Sequence, residues 1–425
     1  MFPALQCSAF LLDIVFLLHL RLDSKHMRSF LSFISLHYKL LVFGLVLAFF
    51  SSFGQTFLIS LYIPEIEDAF GFSNTKLSAL YAGATMGSAV VLPWMGRLVD
   101  TIALKKFTIG VVLGCALACI ILSLAIHPLI VLLGFFGLRL FGQGLLSHTS
   151  VSTMARAFEL DRGKAISIAG LGHPLGEATL PLLVALAISA LGWRSTLQIS
   201  GLVLAASMLP LIFILLNHQS AQILHPAPLS SEERRNQANP LRLIYDRRFW
   251  LISPVLFLLG FLSTAIFFFQ IKLGNSRGWD PTWVAGSLSV YALANAVSMM
   301  MSGPLVDRWS ARQIFPYILI PFLLGILVLA FGHHPLTYPL ALALVAISNG
   351  AGSTTINALF AEVFGAQMIG TVRSVFATVM VFSTALGPIS FGLLLDGNWS
   401  YRDVFLLSSF CLTLVIVISS FLGRK

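Results

Sequence analysis

Charge is what this chain has least of: 10% of its 425 residues are Asp, Glu, Lys or Arg, against about 25% in soluble globular domains. With 57% hydrophobic residues and a mean hydropathy of +0.90, that shortage excludes a soluble enzyme built around one apolar core. Cysteine is scarce as well. Cys7, Cys115, Cys119 and Cys411 have no metal-ligand spacing, and Cys115 and Cys119, one turn apart in an apolar stretch, read as packing residues. No Gly-rich loop ending in Lys-Ser/Thr occurs, so nucleotide hydrolysis has no support. No nucleophile with its base, and no metal set, accompanies the few ionisable residues; neither an enzyme nor a cofactor is expected. The net charge of +9 is spread over short loops rather than gathered in a basic domain, which speaks against nucleic acid as a partner.

What is present is a series of apolar runs long enough to cross a bilayer, for which about 20 residues suffice. They read as 39–61, 77–96, 106–126, 129–152, 164–189 and 195–216, then 249–270, 283–303, 312–332, 336–358, 370–394 and 402–421. The polar stretch 217–248, with Glu232, Glu233, Arg234 and Arg235, separates the two sets as a central loop. Residues 1–38 are expected to be an N-terminal tail and 422–425 a C-terminal one. The expected fold is an all-α membrane protein, with twelve transmembrane helices in two pseudo-symmetric six-helix bundles, 39–216 and 249–421. Of 26 Lys and Arg, only Lys76, Arg194, Lys272, Arg277 and Arg402 lie in odd-numbered loops. Arg139 lies within a span, and the other twenty lie in even-numbered loops, the central loop and the tails. This bias places both termini and the central loop in the cytoplasm, of a bacterial inner membrane on this reading, with the protein expected to be a monomer.

A repeat supports the division into halves. GRLVDTIALKK, from Gly96, joins the second and third spans, and GPLVDRWSAR, from Gly303, joins the eighth and ninth. Both copies carry Gly, Leu at the third place, Asp at the fifth and a base at the tenth. Internal repeats of this kind are the usual layout of a secondary transporter. Gly96, Asp100, Lys105, Gly303, Asp307, Arg308 and Arg312 are expected to form a cytoplasmic gate. The glycines would let helices approach closely, and the aspartates would cap helix starts and hold a base that can be released.

These loops resemble the signature Gly-x-Leu-x-Asp-Arg-x-Gly-x-Arg/Lys of the major facilitator superfamily, and from about residue 40 the chain is similar to that family of twelve-helix transporters. Thr101 and Ala103 replace the signature's Arg and second Gly in the first copy, and Ser310 replaces the second Gly in the other. GLRLFGQG (137–144) resembles the family's Arg-containing motif of the fourth helix, and ALGPISFGLLLD (385–396) a stretch common in its eleventh. GNSRGW (274–279) resembles the monocarboxylate-porter-like branch. The resemblance implies secondary active transport by alternating access, with a small solute held between the halves.

Within the spans, polar residues are few enough to name. Glu177 is the only carboxylate deep inside a span, and His173, four residues earlier, shares its helix face. A carboxylate at such depth suits a proton carrier, although it can equally hold helices together. Arg139 is the one embedded base and should face the protein interior, which favours an organic anion as solute. Gln55, Gln270, Asn295, Asn349 and Asn357 are expected solute contacts, with helix-to-helix hydrogen bonds as their alternative role. Proton-coupled transport of a small organic solute is the expected function. Proton-antiport efflux of drugs or metabolites, and a non-transporting sensor or facilitator with the same fold, stay open as alternatives.

Overall fold

Backbone N–H and C=O groups inside a bilayer have no water to bond, so a chain of long apolar runs must satisfy them within helices. The computed structural model describes residues 24–158, 161–216, 243, 245–365 and 369–421; side chains at 24–31, 100, 101 and 369–371 lie outside that description. Among the described residues, twelve helices are long and apolar enough to cross a membrane, and no strand occurs. They are α1 (Ser32–Gly54), α2 (Asn74–Val99), α3 (Leu104–Ser123), α4 (Pro128–Ala157), α5 (Arg162–Leu191) and α6 (Trp193–Leu215) in the first half. The second half has α7 (Arg247–Ser276), α8 (Pro281–Trp309), α9 (Ala311–Phe331), α10 (Thr337–Phe364), α11 (Val372–Asp396) and α12 (Tyr401–Ser420).

Hydropathy marks the spans, whereas local hydrogen bonds set their ends. Ser73 accepts from Lys76 N to start α2, and Asp280 accepts from Thr282 N and Trp283 N to start α8. The Thr282 hydroxyl and amide bonds hold the Asp280 carboxyl below the usual carboxylate range. Asp246 starts α7 by accepting from Arg248 N, and the Arg248 guanidinium, 2.6 Å away, lowers its carboxyl in the same way. A reciprocal Ser400–Asp403 capping box opens α12. Helix α1 departs from expectation at both ends. Its helical backbone begins at Ser24, inside the expected tail, and after a break at 51–55 the chain stays helical to Phe70. Residues 217–242 of the expected central loop lie outside the described residues.

Matching contacts recur in the two halves. A Cβ on Gly172 would lie 2.1 Å from Leu45 O, and one on Gly176 2.2 Å from Ser52 Oγ, so α5 packs backbone-close on α1. In the second half, a Cβ on Gly387 would lie 2.2 Å from Phe261 O, and α11 packs on α7 in the same manner. Without the bulk of lipid-excluding side chains, such approaches supply the van der Waals contact that holds membrane helices together. The halves meet along α2–α11 and α5–α8. Hydrogen bonds between them cluster at the odd-loop end: Asn74 Nδ2 to Asp396 Oδ1 at 2.7 Å, Thr75 N to Asp396 Oδ2 at 2.8 Å, and Ser289 Oγ to Ala178 O at 2.9 Å. That end of the molecule is shut.

The stretch GNSRGW lies at this same end, and its bonds are made within the second half. Arg277 donates to Gly332 O at 2.6 Å and to Leu329 O, and Trp279 Nε1 donates to His333 O at 3.0 Å. These bonds tie the α7–α8 turn to the α9–α10 turn.

Candidate functional site

Two irregular stretches of backbone face each other at the centre of the first half. The chain of α1 tightens into a 3-10 turn over Ser51–Gly54, and Gln55 is extended (φ −81°, ψ 148°) before helix resumes at Thr56. Opposite it, Leu138–Leu146 of α4 is a π-helix. The first stretch is Ser, Gly and Gln but for Phe53, and the second carries Gly142, Gln143 and Gly144 at its centre, small or polar side chains that leave the backbone free to depart from α geometry. The two are in backbone contact: a Cβ on Gly54 would lie 2.2 Å from both Gln143 N and Leu138 O. Non-helical backbone at membrane depth is tolerated only where protein or a cavity supplies its partners, and π-turns commonly mark functional sites.

Arg139 is held in this junction. Its Nη1 donates to Gly54 O at 3.3 Å, a carbonyl freed by the break in α1, and its guanidinium stands 5.3 Å from the centre of the Tyr81 ring. Tyr81 is fixed in turn by a 2.6 Å bond between its hydroxyl and Thr56 Oγ1. Arg139 is 5% exposed, its Nε has no partner, and no ion pair to it occurs among the described residues. A cation this buried, with a carbonyl and a ring but no anion, has unspent capacity for one.

Arg139 opens onto a cavity of about 440 Å³ between the halves, within the size range of small-molecule sites. From the first half its wall takes Gln55, Gln143, His173 and Glu177. His173 Nδ1 lies 3.3 Å from Ser51 Oγ, whose own hydrogen is directed to Ala48 O at 2.7 Å. Nδ1 is therefore the donor in that contact, which leaves Nε2 of a neutral ring as a free acceptor. Glu177, one turn on, has no hydrogen bond or ion pair with a described residue and lies within electrostatic range of Tyr291 across the cavity. The second half contributes no ionisable carboxylate or base. It supplies Ser263, Tyr291, Asn295, Asn349, Ser353 and Thr384, with apolar Leu259, Phe267, Ile356 and Met380.

These polar groups divide by whether the protein already satisfies them. Asn349 Nδ2 donates to Ser263 Oγ and to Tyr291 OH, both at 3.0 Å, so this trio braces α7, α8 and α10 together. Gln55, Gln143 and Asn295 line the cavity without a side-chain bond among the described residues. Free amides beside a free carboxylate and an unneutralised guanidinium are the groups able to bind a solute.

Of the residues singled out by sequence, Gln55, Arg139, His173, Glu177, Asn295 and Asn349 thus share one cavity. Gln270 and Asn357 do not line it. Gln270 is fully buried nearer the shut end, where Nε2 donates to Phe57 O at 2.9 Å and Ser60 Oγ at 2.7 Å, and Oε1 accepts from Tyr338 OH at 3.0 Å. It joins the halves. Asn357 donates to Ser353 O and accepts from Arg373 at 2.9 Å, at the other end of α10. Gln143, which the sequence does not set apart from its neighbours in GLRLFGQG, is brought into the wall by the π-turn. Nothing in the local sequence marks Ser263 or Tyr291, whose position depends on three helices meeting.

The expected gate loops lie away from the cavity, and their contacts differ from expectation. A Cβ on Gly303 would meet nothing within 4 Å, and one on Gly96 would meet only the His148 ring at 3.5 Å. Close backbone approach is therefore not what these glycines provide in this state. Lys105 stacks on Phe213, 3.8 Å from the ring centre, and Arg308 on Trp309 at 5.8 Å. Asp307 is exposed, and the side chain of Asp100 lies outside the described residues. The carboxylate that caps the second loop is Glu362 of α10, which accepts from Ala311 N at 2.8 Å and Arg312 N at 3.1 Å.

The family model of the Major Facilitator Superfamily matches residues 45–388 and 273–425. Among curated proteins, the chain is 20% identical over 402 residues to the uncharacterized MFS-type transporter YvkA of Bacillus subtilis, covering 83% of this chain and 89% of that protein. It is 28% identical over 131 residues to a D-xylose transporter of Levilactobacillus brevis, covering 31% of this chain and only 28% of the relative's length. Among solved structures, the nucleoside transporter NupG superposes with a TM-score of 0.71 at 14% identity, covering 92% of this chain and 99% of that one. A bacterial homolog of the human lysosomal transporter Spinster, inward-facing and occupied, superposes with a TM-score of 0.68 at 16% identity, covering 91% and 96%. Likeness at these identities concerns the fold.

Proposed function

The chain belongs to the Major Facilitator Superfamily, a family of multi-pass membrane transport proteins rather than enzymes, and from that premise we propose that it carries a small organic anion by alternating access, coupled to protons through Glu177. The observation that carries this reading is that Arg139 and Glu177 face one cavity between the halves without being paired to each other or to any other described charge. Charge balance then supplies the coupling. Closing the halves over an ionised Glu177 and a bound anion would bury two negative charges against one positive, which a low-dielectric interior strongly disfavours. A proton on Glu177 restores neutrality, so anion and proton travel together. His173, with Nε2 free on the same face, is placed to pass that proton. Gln55, Gln143 and Asn295 orient the solute by hydrogen bonds. Both termini lie in the cytoplasm on the charge bias, and the shut odd-loop end makes this the inward-facing state.

Purified protein in liposomes, given an imposed pH gradient and pools of monocarboxylates, dicarboxylates, amino acids, sugars and lipophilic cations, tests this reading. Concentrative uptake of a carboxylate is expected, lost in E177Q while downhill exchange continues. R139Q should weaken the solute's apparent affinity by about tenfold or more, since bonds to charged groups contribute about 1.5–3 kcal/mol. Normal accumulation by E177Q would remove the proton role. A second reading, proton-antiport efflux, draws on the apolar walls Leu259, Phe267, Ile356 and Met380; lipophilic cations moving against the gradient would favour it. Flux without accumulation for every pool would favour the facilitator.

A further inference from the structure

At the shut end, the two halves exchange charged groups. Lys272, in the last turn of α7, reaches across to the first half, where its Nζ lies 2.5 Å from Glu67 Oε2 and also donates to Asn74 Oδ1. Asp396, the last residue of α11, crosses in the same direction. Its carboxylate accepts from Asn74 N at 3.2 Å, Asn74 Nδ2 at 2.7 Å and Thr75 N at 2.8 Å. It thereby caps the start of α2, a helix of the other half, by taking N–H groups that no helix carbonyl can reach. The seam beneath is tight: a Cβ on Gly392 would lie 2.6 Å from Ser78 Oγ and 3.0 Å from Asn74 O. Glu67 is 6% exposed, and its Oε1 has no partner.

We propose that Lys272, Glu67, Asn74 and Asp396 form a charge-paired gate at the odd-loop end, which opens and closes in each cycle and sets the balance between the two facing states. This rests on the alternating-access reading, since only then must the halves part here. The chemistry suits a reversible closure. Attraction within a buried ion pair is largely offset by the loss of hydration, so forming the pair and returning both ions to water lie close in free energy. Apolar packing over the same area would lack that offset. Removing one partner breaks the symmetry, because the remaining charge is then buried without compensation in the closed state and hydrated in the open one. Loss of Lys272 leaves Glu67 beside Asp68 and Asp396 with no other cation acting on it among the described residues. Loss of the Glu67 charge leaves Lys272 still bound to Asn74 and close to Asp396.

The test uses S353C as a reporter inside the cavity, in full-length protein with Cys7 and Cys411 replaced by serine. A membrane-impermeant maleimide is applied to intact cells and, separately, to inside-out vesicles, so that both faces are read. K272M is expected to raise labelling from the odd-loop face by about tenfold or more and to lower it from the other face, as a shift between two populated states requires. E67Q, nearly isosteric and leaving Lys272 with Asn74 and Asp396, should leave labelling from that face at or below the level of the unsubstituted gate. The double variant E67Q/K272M, with no orphan charge, should fall below K272M alone. Unchanged labelling from both faces in K272M would overturn the gate, as would a double variant equal to or above K272M. The readout needs no solute. A shift in labelling without any solute flux would uphold the gate and count against the transport reading, and flux with unshifted labelling would do the reverse.

Discussion

Ser310 occupies the place where the repeated loop signature calls for Gly, and its backbone shows why. With φ 65° and ψ 150° it holds a conformation reserved almost entirely for glycine. Strain of this kind costs of order 1–3 kcal/mol. S310G should therefore raise the apparent Tm in detergent, by a net of about 1 kcal/mol once the flexibility of glycine in the unfolded chain is counted. An unchanged or lower Tm would show that neighbouring contacts, rather than the loop residue, impose that conformation. Ala103, at the equivalent place in the first copy, has φ −51° and carries no such strain. The two loops match in residue spacing yet differ in backbone, and an A103G variant is expected to gain nothing.

At the scale of elements, the break in α1 and the π-helix of α4 depend on each other. Gly54 and Gly142 each sit where a Cβ would meet the other's backbone, at 2.7–2.8 Å, so neither stretch can relax without moving its partner. G54A should lower stability by about 1–3 kcal/mol or more, the range for overpacking a close-packed contact, and should disturb Arg139, whose bond to Gly54 O runs through the same junction. G303A is the contrasting case, because a methyl there meets open space within a helix and alanine is the better helix former by about 1 kcal/mol. Thermal melts in one detergent compare the two. Equal losses would mean that the observed spacing around these glycines does not govern stability. Much of this level was legible in advance: twelve spans and their pairing in two sets follow from hydropathy and the repeated loops. The break at 51–55 was not, since Ser-Ser-Phe-Gly-Gln is compatible with a continuous helix until a second backbone is packed against it.

For the molecule as a whole, the balance between facing states should depend on pH through Glu67. In the closed gate, burial raises its carboxyl above the usual range, Lys272 opposes that through their bond and its charge, and Asp396 and Asp68 add to the rise; Tyr401 also faces it. With the gate open, Glu67 returns to water and to an ordinary pKa of about 4.3. The closed state then binds the proton more tightly, so acid favours closure. That stabilisation is complete below the ordinary value and is lost as pH rises through the raised one. The ratio of S353C labelling from the odd-loop face to labelling from the other face at the same pH, which cancels the thiol's own titration, should accordingly decline as pH is lowered toward the ordinary carboxylate range, and E67Q should flatten that ratio. A rise with acid would mean that the ion pair outweighs burial.

Sequence by itself determined the class of this protein: long apolar runs can satisfy their backbone in lipid only as helices, and the matched loops divide those helices into two sets. It also singled out Arg139 and Glu177, because an ionisable group within an apolar span stands out without reference to anything distant. Only the tertiary structure decided which polar residues act together. Gln143 joins the cavity through a π-turn, whereas Gln270 is drawn to the seam between the halves and Asn357 to Arg373. Glu67, Lys272, Asn74 and Asp396 read as ordinary loop and helix-end residues, and they become one cluster only when chain segments about 200 to 320 residues apart are brought together. Hydropathy is a property of neighbours along the chain and survives in one dimension. Charge pairing between halves depends on how two bundles sit against each other, and no local pattern encodes that.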